Sequence, residues 1–190
     1  MKNAVIFLAN GFEEIEALTV VDILRRAEIK CDMCSLQKLK VTGAHGIAVE
    51  TDFTISESDF KDYECLILPG GMPGSKNLKE NSKIIELVKE FNQKGKFIAA
   101  ICAAPIVLNE AQVITNKKVT SFPGIKDELL GCEYQEEIVV QDGNLITSRG
   151  PATAMDFALK IVENLTSEVV SDKLKADMLV DLLERKIKGV

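Results

Sequence analysis

Cys102 is the residue best placed to do chemistry. It directly follows the apolar run from Lys96 to Ile101 and precedes Ala103, Ala104 and Pro105. An aliphatic run of this length reads as a buried strand, and the residues after it as a sharp turn into a helix. A cysteine at such a turn meets free backbone N–H groups that lower a thiol's pKa, while small neighbours let a substrate approach the backbone. Two of those N–H groups, that of Ala103 and that of Gly71 after the apolar run Cys65 to Leu68, also suit a developing oxyanion. The plainer alternative is a small, inert residue ending a buried strand, because free cysteines are often of that kind.

Glu16 is the second candidate. Helical spacing puts Val20, Ile23 and Ala27 on its face, whereas Thr19, Asp22 and Arg26 fall opposite. Its carboxyl therefore points at the apolar layer, where desolvation raises its pKa and favours a protonated form able to donate to a thiolate. Such a pair titrates jointly and can pass protons to a substrate carbonyl. Glu13 and Glu14 need no special role, since acidic residues suit the positive end of a helix.

Other reactive side chains are less well placed. His45 is the sole histidine and sits in Thr42-Gly43-Ala44-His45-Gly46, so no Cys–His hydrolase pair is evident locally. Cys31-Asp32-Met33-Cys34 has C-x-x-C spacing, but strand residues three apart face opposite sides and no second ligand pair follows; no metal site is expected. Neither Gly-x-Gly-x-x-Gly nor a phosphate-binding loop occurs, so no nucleotide cofactor is indicated. Arg149-Gly150-Pro151 either brings a cation and a rigid proline near the strand ends or simply starts a helix.

These residues need a scaffold, and the hydropathy pattern supplies one. Short Val/Ile/Leu-rich runs alternate with segments of helical period, the pattern of a mainly parallel sheet covered by helices on both faces. The spacing predicts a strand over Ala4 to Ala9, a helix over Glu14 to Ala27, and a strand over Lys30 to Leu36. A small hairpin is expected between Lys40 and Phe53, then a strand from Cys65 to Leu68, a helix from Ser82 to Asn92 and a strand from Lys96 to Ile101. Further strands are read at Lys117 to Ser121 and around Val139 and Ile146, the last two joined by Asp142-Gly143-Asn144. Helices are expected from Pro151 to Asn164 and, capped by Ser167, to about Lys186. At 190 residues, one domain over 1–190 is the expectation.

Composition excludes several roles. A formal charge of -6 argues against a surface built for nucleic acid or anionic lipid, which leaves small-molecule or protein partners. Asn10-Gly11 breaks the first apolar run too early for a signal sequence or membrane span, so a cytoplasmic location is expected. The five cysteines are irregularly spaced and suit a reducing compartment.

Four motifs together resemble one family. They are Asn10-Gly11-Phe12-Glu13-Glu14-Ile15-Glu16, Leu68-Pro69-Gly70-Gly71-Met72-Pro73-Gly74, Ala99-Ala100-Ile101-Cys102-Ala103-Ala104-Pro105, and Thr147-Ser148-Arg149-Gly150-Pro151-Ala152-Thr153-Ala154. By these the chain resembles the DJ-1/PfpI (ThiJ) superfamily, in its DJ-1 branch with the bacterial ThiJ-like proteins.

The resemblance implies a flavodoxin-like, doubly wound fold and a homodimer, with Cys102 as the oxidation-prone cysteine on a nucleophile elbow and Glu16 as its protonated partner. Gly71 and Ala103 would donate to the oxyanion, and Pro151 would lie close to Cys102. Arg25 and Arg26 would lie near the site or the interface, which Ile15 and Leu18, apolar on the otherwise polar side of the helix, would also serve. Two departures narrow the chemistry: Ala103 stands where hydrolase-like relatives carry histidine, which counts against a peptidase, and Phe122 stands where some members of the branch carry histidine. His45 takes the place of a hairpin arginine that approaches the partner subunit's site.

What the resemblance implies is a cofactor-free, metal-free enzyme of glyoxalase or deglycase type. Its substrate would be a small reactive carbonyl, such as methylglyoxal or glyoxal, or an early glycated adduct. The alternative is a non-enzymatic redox sensor or chaperone whose Cys102 becomes a sulfinate.

Overall fold

The computed structural model describes residues 2–182. The chain opens with β1 (Asn3–Leu8), α1 (Glu14–Arg26) and β2 (Lys30–Ser35), a strand-helix-strand crossover between parallel neighbours. Strands β3 (Lys40–Thr42) and β4 (Ala48–Glu50) form a separate antiparallel hairpin, and β5 (Phe53–Thr54) returns to pair with β2. Next come β6 (Cys65–Leu68), α2 (Gly74–Lys79), α3 (Ser82–Gln93), β7 (Phe97–Ile101) and α4 (Pro105–Glu110). The chain then passes through β8 (Lys118–Val119), β9 (Glu133–Tyr134), β10 (Val139–Asp142), β11 (Leu145–Ser148), α5 (Ala154–Leu165) and α6 (Glu168–Asp177).

Seven strands make the main sheet in the order β10-β11-β7-β6-β1-β2-β5. Every neighbouring pair is parallel except the β10–β11 hairpin. This is a doubly wound, flavodoxin-like arrangement, and the strand order reverses at β1 and β6. Ligands in such sheets bind outside the carboxyl ends of the strands at that reversal.

Alternation along the strands explains why both faces are covered. On β1, Val5 and Phe7 enter one core while Ala4, Ile6 and Leu8 enter the other. The first core is closed by α2, α3 and α4 through Leu78, Ile84, Val88, Phe91 and Val107. The second is closed by α1 and α5 through Val20, Ile23, Leu24, Phe157 and Ile161. Cys31 and Cys34 lie in different cores, as their spacing in a strand requires, so they cannot chelate one ion or form a disulfide with each other.

Two parts of the fold differ from the sequence reading. The strand read at Lys117 to Ser121 is present but shorter, over Lys118–Val119, and pairs in parallel with β9 outside the main sheet, to which it is tied by the Lys118 N–H donating to Asp142 Oδ2 at 2.9 Å and the Thr120 N–H donating to Thr147 Oγ1 at 2.9 Å. Helix α2 has no counterpart in the expectation, because its six residues are too few to display a helical period. Ser167 caps α6 as expected, accepting from the Val170 N–H, but the helix ends at Asp177 and the anticipated end at Lys186 lies outside the described residues.

Candidate active site at the carboxyl end of the sheet

The end of β7 and the end of β6 bring the two candidate residues together. Cys102 adopts a φ of +62°, a left-handed conformation that costs a residue with a Cβ about 1–3 kcal/mol. Its backbone is held there from three sides: its N–H donates to Ser148 O at 3.0 Å, its carbonyl accepts from the Phe122 N–H at 2.9 Å, and the Ala104 N–H closes the turn onto Ile101 O at 3.0 Å. This is the geometry of a nucleophile elbow. Cys102 is partly exposed, whereas Cys31, Cys34 and Cys65 are buried.

Glu16 is completely buried on α1, at 0% exposure. Its Oε2 accepts from the Gly70 N–H at 2.8 Å, while its Oε1 is buried without a well-aligned hydrogen bond. Gly70 forms the floor between the two groups. A Cβ on Gly70 would lie 2.5 Å from Glu16 Oε2 and 2.6 Å from Cys102 Cβ. Gly70→Ala should therefore displace the pair and cost about 1–3 kcal/mol by overpacking, a loss that urea unfolding would read. An unaltered midpoint would show that the floor has slack.

The electrostatics revise one expectation. Burial pushes Glu16 up to about 7, outweighing its contacts with the Cys102 thiol and the Gly70 N–H, and the Glu13 charge adds to the rise. The Cys102 thiol is pushed up to about 12, by burial first and then by the Glu16 carboxylate, although the Ala103 and Gly71 N–H groups act on the sulfur in the opposite sense. The turn led us to expect a lowered thiol. That effect is weak here because α4 is only six residues long and begins with Pro105, which has no N–H.

With Glu16 protonated, its repulsion of the thiolate is removed, while burial, the larger cause, and the two N–H donors stay.

The other predicted residues are placed as follows. Pro151 opens a 3-10 turn immediately after β11, whose last carbonyl receives the Cys102 N–H. Arg149 precedes it, with its Nη1 buried and without a hydrogen-bond partner. Arg25 and Arg26 are not brought to the site: they end α1, nine and ten positions, or ~14–15 Å of helix rise, beyond Glu16. Arg25 donates to the Cys31 carbonyl and to Asp52, and Arg26 pairs with Asp22. Ile15 is 56% exposed on the outer side of α1.

His45 is likewise not at Cys102. It lies in the β3–β4 turn, where its Nδ1 is 2.9 Å from Glu14 Oε2 and 3.6 Å from Glu13 Oε2. Glu14 does more than suit a helix start. Its buried carboxyl accepts from the His45 N–H at 2.8 Å and the Ile47 N–H at 3.3 Å, tying the hairpin to α1. Burial raises Glu14, but the His45 ring and these N–H groups outweigh it and hold the carboxyl below its usual range. One signal for this role was present in the sequence, the glycine at position 43: a Cβ there would lie 2.3 Å from the Glu14 carboxyl.

Glu13, Glu14 and His45 are also the one trio among the described residues whose ligand atoms come within metal-binding reach of each other. Two backbone N–H groups already occupy Glu14, so the arrangement reads as an ion pair. Glu14→Ala would strand those N–H groups and should cost about 1–3 kcal/mol in unfolding free energy. The Glu14 contact and the Glu13 charge raise the His45 pKa. The tether is thus fully present below the ordinary histidine value and is lost as pH rises through the folded one. The stability difference between wild type and His45→Ala should accordingly be larger at pH 5 than at pH 8; a gap that does not change with pH would dismiss the ion pair.

Comparison with known proteins fits this geometry. The DJ-1/PfpI family model matches residues 2–164. The chain belongs to the DJ-1/PfpI family. DJ-1alpha of Drosophila melanogaster is 40% identical over 182 residues, covering 94% of this chain and 84% of that protein. A deglycase of Pyrococcus horikoshii is 34% identical over 164 residues, covering 85% of this chain and 98% of its own. The crystal structure of Drosophila melanogaster DJ-1beta superposes with a TM-score of 0.91 at 38% identity, covering 94% of this chain and 97% of that one. The elbow at Cys102 and the flavodoxin-like sheet are thus set in a DJ-1-type protein. Among the described residues, no helix is long and apolar enough to cross a membrane.

Proposed function

We propose that this DJ-1-family protein is a cofactor-independent enzyme of glyoxalase or deglycase type that acts on methylglyoxal, glyoxal or their early adducts. The observation that carries the reading is the positive-φ Cys102 with a buried Glu16 beside it and two N–H groups acting on its sulfur. The deglycase of Pyrococcus horikoshii among its relatives supports the substrate class.

The chemistry follows from these groups. The Cys102 sulfur adds to the aldehyde carbon of methylglyoxal, and the carbonyl oxygen, held by the Gly71 and Ala103 N–H groups, takes a proton from Glu16. Glu16 then removes the hydrogen from that carbon and returns it to the neighbouring one through an enediol. The first carbon is oxidised and the second reduced, giving a lactoyl thioester. Water hydrolyses it to lactate and frees the thiol. The exposed Ile15 supports a homodimer as part of the same reading. Lactate release from methylglyoxal by the purified protein, with no cofactor added, tests the proposal, and a rate equal to that of buffer rejects it.

A second reading rests on the same two donors, which would hold a sulfinate as readily as an oxyanion. Two peroxide molecules would each give one oxygen to Cys102 and leave as water. Peptide mass mapping after mild peroxide should find the dioxide on Cys102 before any change at Cys132, the other partly exposed cysteine. Oxidation of Cys132 first would remove the support for redox sensing.

A further inference from the structure

A second concave feature lies at the carboxyl edge of the sheet, apart from Cys102. An open cleft of about 470 Å³ sits at the carboxyl ends of β1 and β2, and neither Glu16, Gly71 nor Cys102 lines it. In the sheet, β6 lies between β1 and β7, so the cleft at the ends of β1 and β2 and the cysteine after β7 are separated by the end of β6. Its size is that of a small-molecule site, and the carboxyl ends of parallel strands are where such sites form.

Its polar lining is unbalanced. Asn10 and Asn81 have their carbonyl oxygens occupied, by the Thr42 N–H at 3.0 Å and the Ile84 N–H at 3.2 Å, which leaves each an NH₂ group as donor. Lys38 and Lys40 are exposed on the lining and take part in no ion pair among the described residues. Ser35, also on the lining, is 1% exposed, and its hydroxyl has no hydrogen-bond partner. A buried hydroxyl of that kind is costly unless something accepts from it. The lining's carboxylate, Glu80, already faces Lys76 at 3.8 Å. Asn77 adds an acceptor, since its NH₂ donates to the Asn10 carbonyl at 3.0 Å, and the Gln37 amide offers both kinds of group; donors and positive charge still outnumber acceptors locally, in a chain whose net charge is -6.

We propose that this cleft binds a small oxyanion, the carboxylate or phosphate group of a polar metabolite, through Ser35, Lys38, Lys40 and the amides of Asn10 and Asn81. The proposal does not depend on turnover at Cys102. Amide NMR titrations of the full chain with inorganic phosphate, acetate and, as the ionic-strength control, chloride would test it.

Resonances of Ser35, Lys38 and Lys40 should shift along a saturating one-site curve with phosphate or acetate and not with chloride. Saturation by phosphate alone would assign a phosphate ester, and by acetate alone a carboxylate. The double variant Lys38→Ala/Lys40→Ala should weaken binding at least about tenfold, and Ser35→Ala about fivefold, the loss of one hydrogen bond. Ser35→Ala removes only an unpartnered hydroxyl, so it should still fold. An equal response to chloride, no saturation with either anion, or unchanged affinity in either variant would overturn the proposal.

Discussion

Cys102→Ser should lower lactate formation from methylglyoxal by about 10³-fold or more while leaving the fold intact. Serine is nearly the same size, and the left-handed backbone at this position is fixed by main-chain hydrogen bonds that do not involve the side chain, from its N–H to Ser148 O, from the Phe122 N–H to its carbonyl and from the Ala104 N–H to Ile101 O. What changes is the nucleophile. A hydroxyl needs a strong adjacent base, and the base on hand is Glu16, a carboxyl whose conjugate acid titrates at about 7. That is sufficient to share a proton with a thiol and far too weak to generate an alkoxide. No imidazole compensates, because Ala103 follows the cysteine and His45 is bound to Glu14 at the hairpin. Circular dichroism would check that the variant folds, and a rate like the wild type's would eliminate Cys102 as the attacking group.

Glu16→Gln separates catalysis from stability, and the two should move in opposite directions. Loss of the proton carrier should reduce kcat by about 10²–10⁴-fold. Gln can still accept from the Gly70 N–H, so its position is retained. Stability should rise, and the rise should depend on pH. An acid raised from 4.5 to about 7 on folding imposes no penalty below its unfolded value. The penalty grows as pH rises from there through the folded value, reaching about 3 kcal/mol. Wild type and variant should therefore unfold at similar urea concentrations near pH 4 and diverge by pH 8.5, the variant being the more stable. Divergence in the other direction would mean that the ionised carboxylate is the form the fold prefers.

Gly70 explains why these two predictions belong together. Among the described glycines it is the one where a Cβ would meet both the Glu16 carboxyl and the Cys102 side chain, so the proposed proton transfer and the cost of burying a charge depend on the same contact. A doubled glycine after a strand signals a tight turn, but which of the two matters, and for what, depends on what lies across from it. Gly71 is needed for its φ of +87°, and Gly70 for the space above its Cα.

Much of the scaffold could be read from local pattern. Apolar runs of four to six residues marked β1, β6 and β7, because strands buried on both faces show no polar alternation. The helical period set Glu16 among Val20 and Ile23, and the structure keeps it there, fully buried. The elements with the weakest local signal were missed, or read without a partner. Helix α2 is too short to show a period, and β8 found its partner in β9, a pairing settled by where the chain returns rather than by its own composition.

The alternation of strands and helices, the inward face of Glu16 and the arrival of a cysteine at a strand end each depend on residues a few positions apart and are legible in the chain. The left-handed backbone of Cys102, the place of Gly70 between it and Glu16, and a thiol raised rather than lowered come from contacts between distant segments. So do the hold of Glu14 on the hairpin and the service of Arg25 and Arg26 at the other end of α1. Desolvation, the reach of a charge and the space left by a missing Cβ all depend on atoms brought together from distant parts of the chain, and no local spacing encodes those distances.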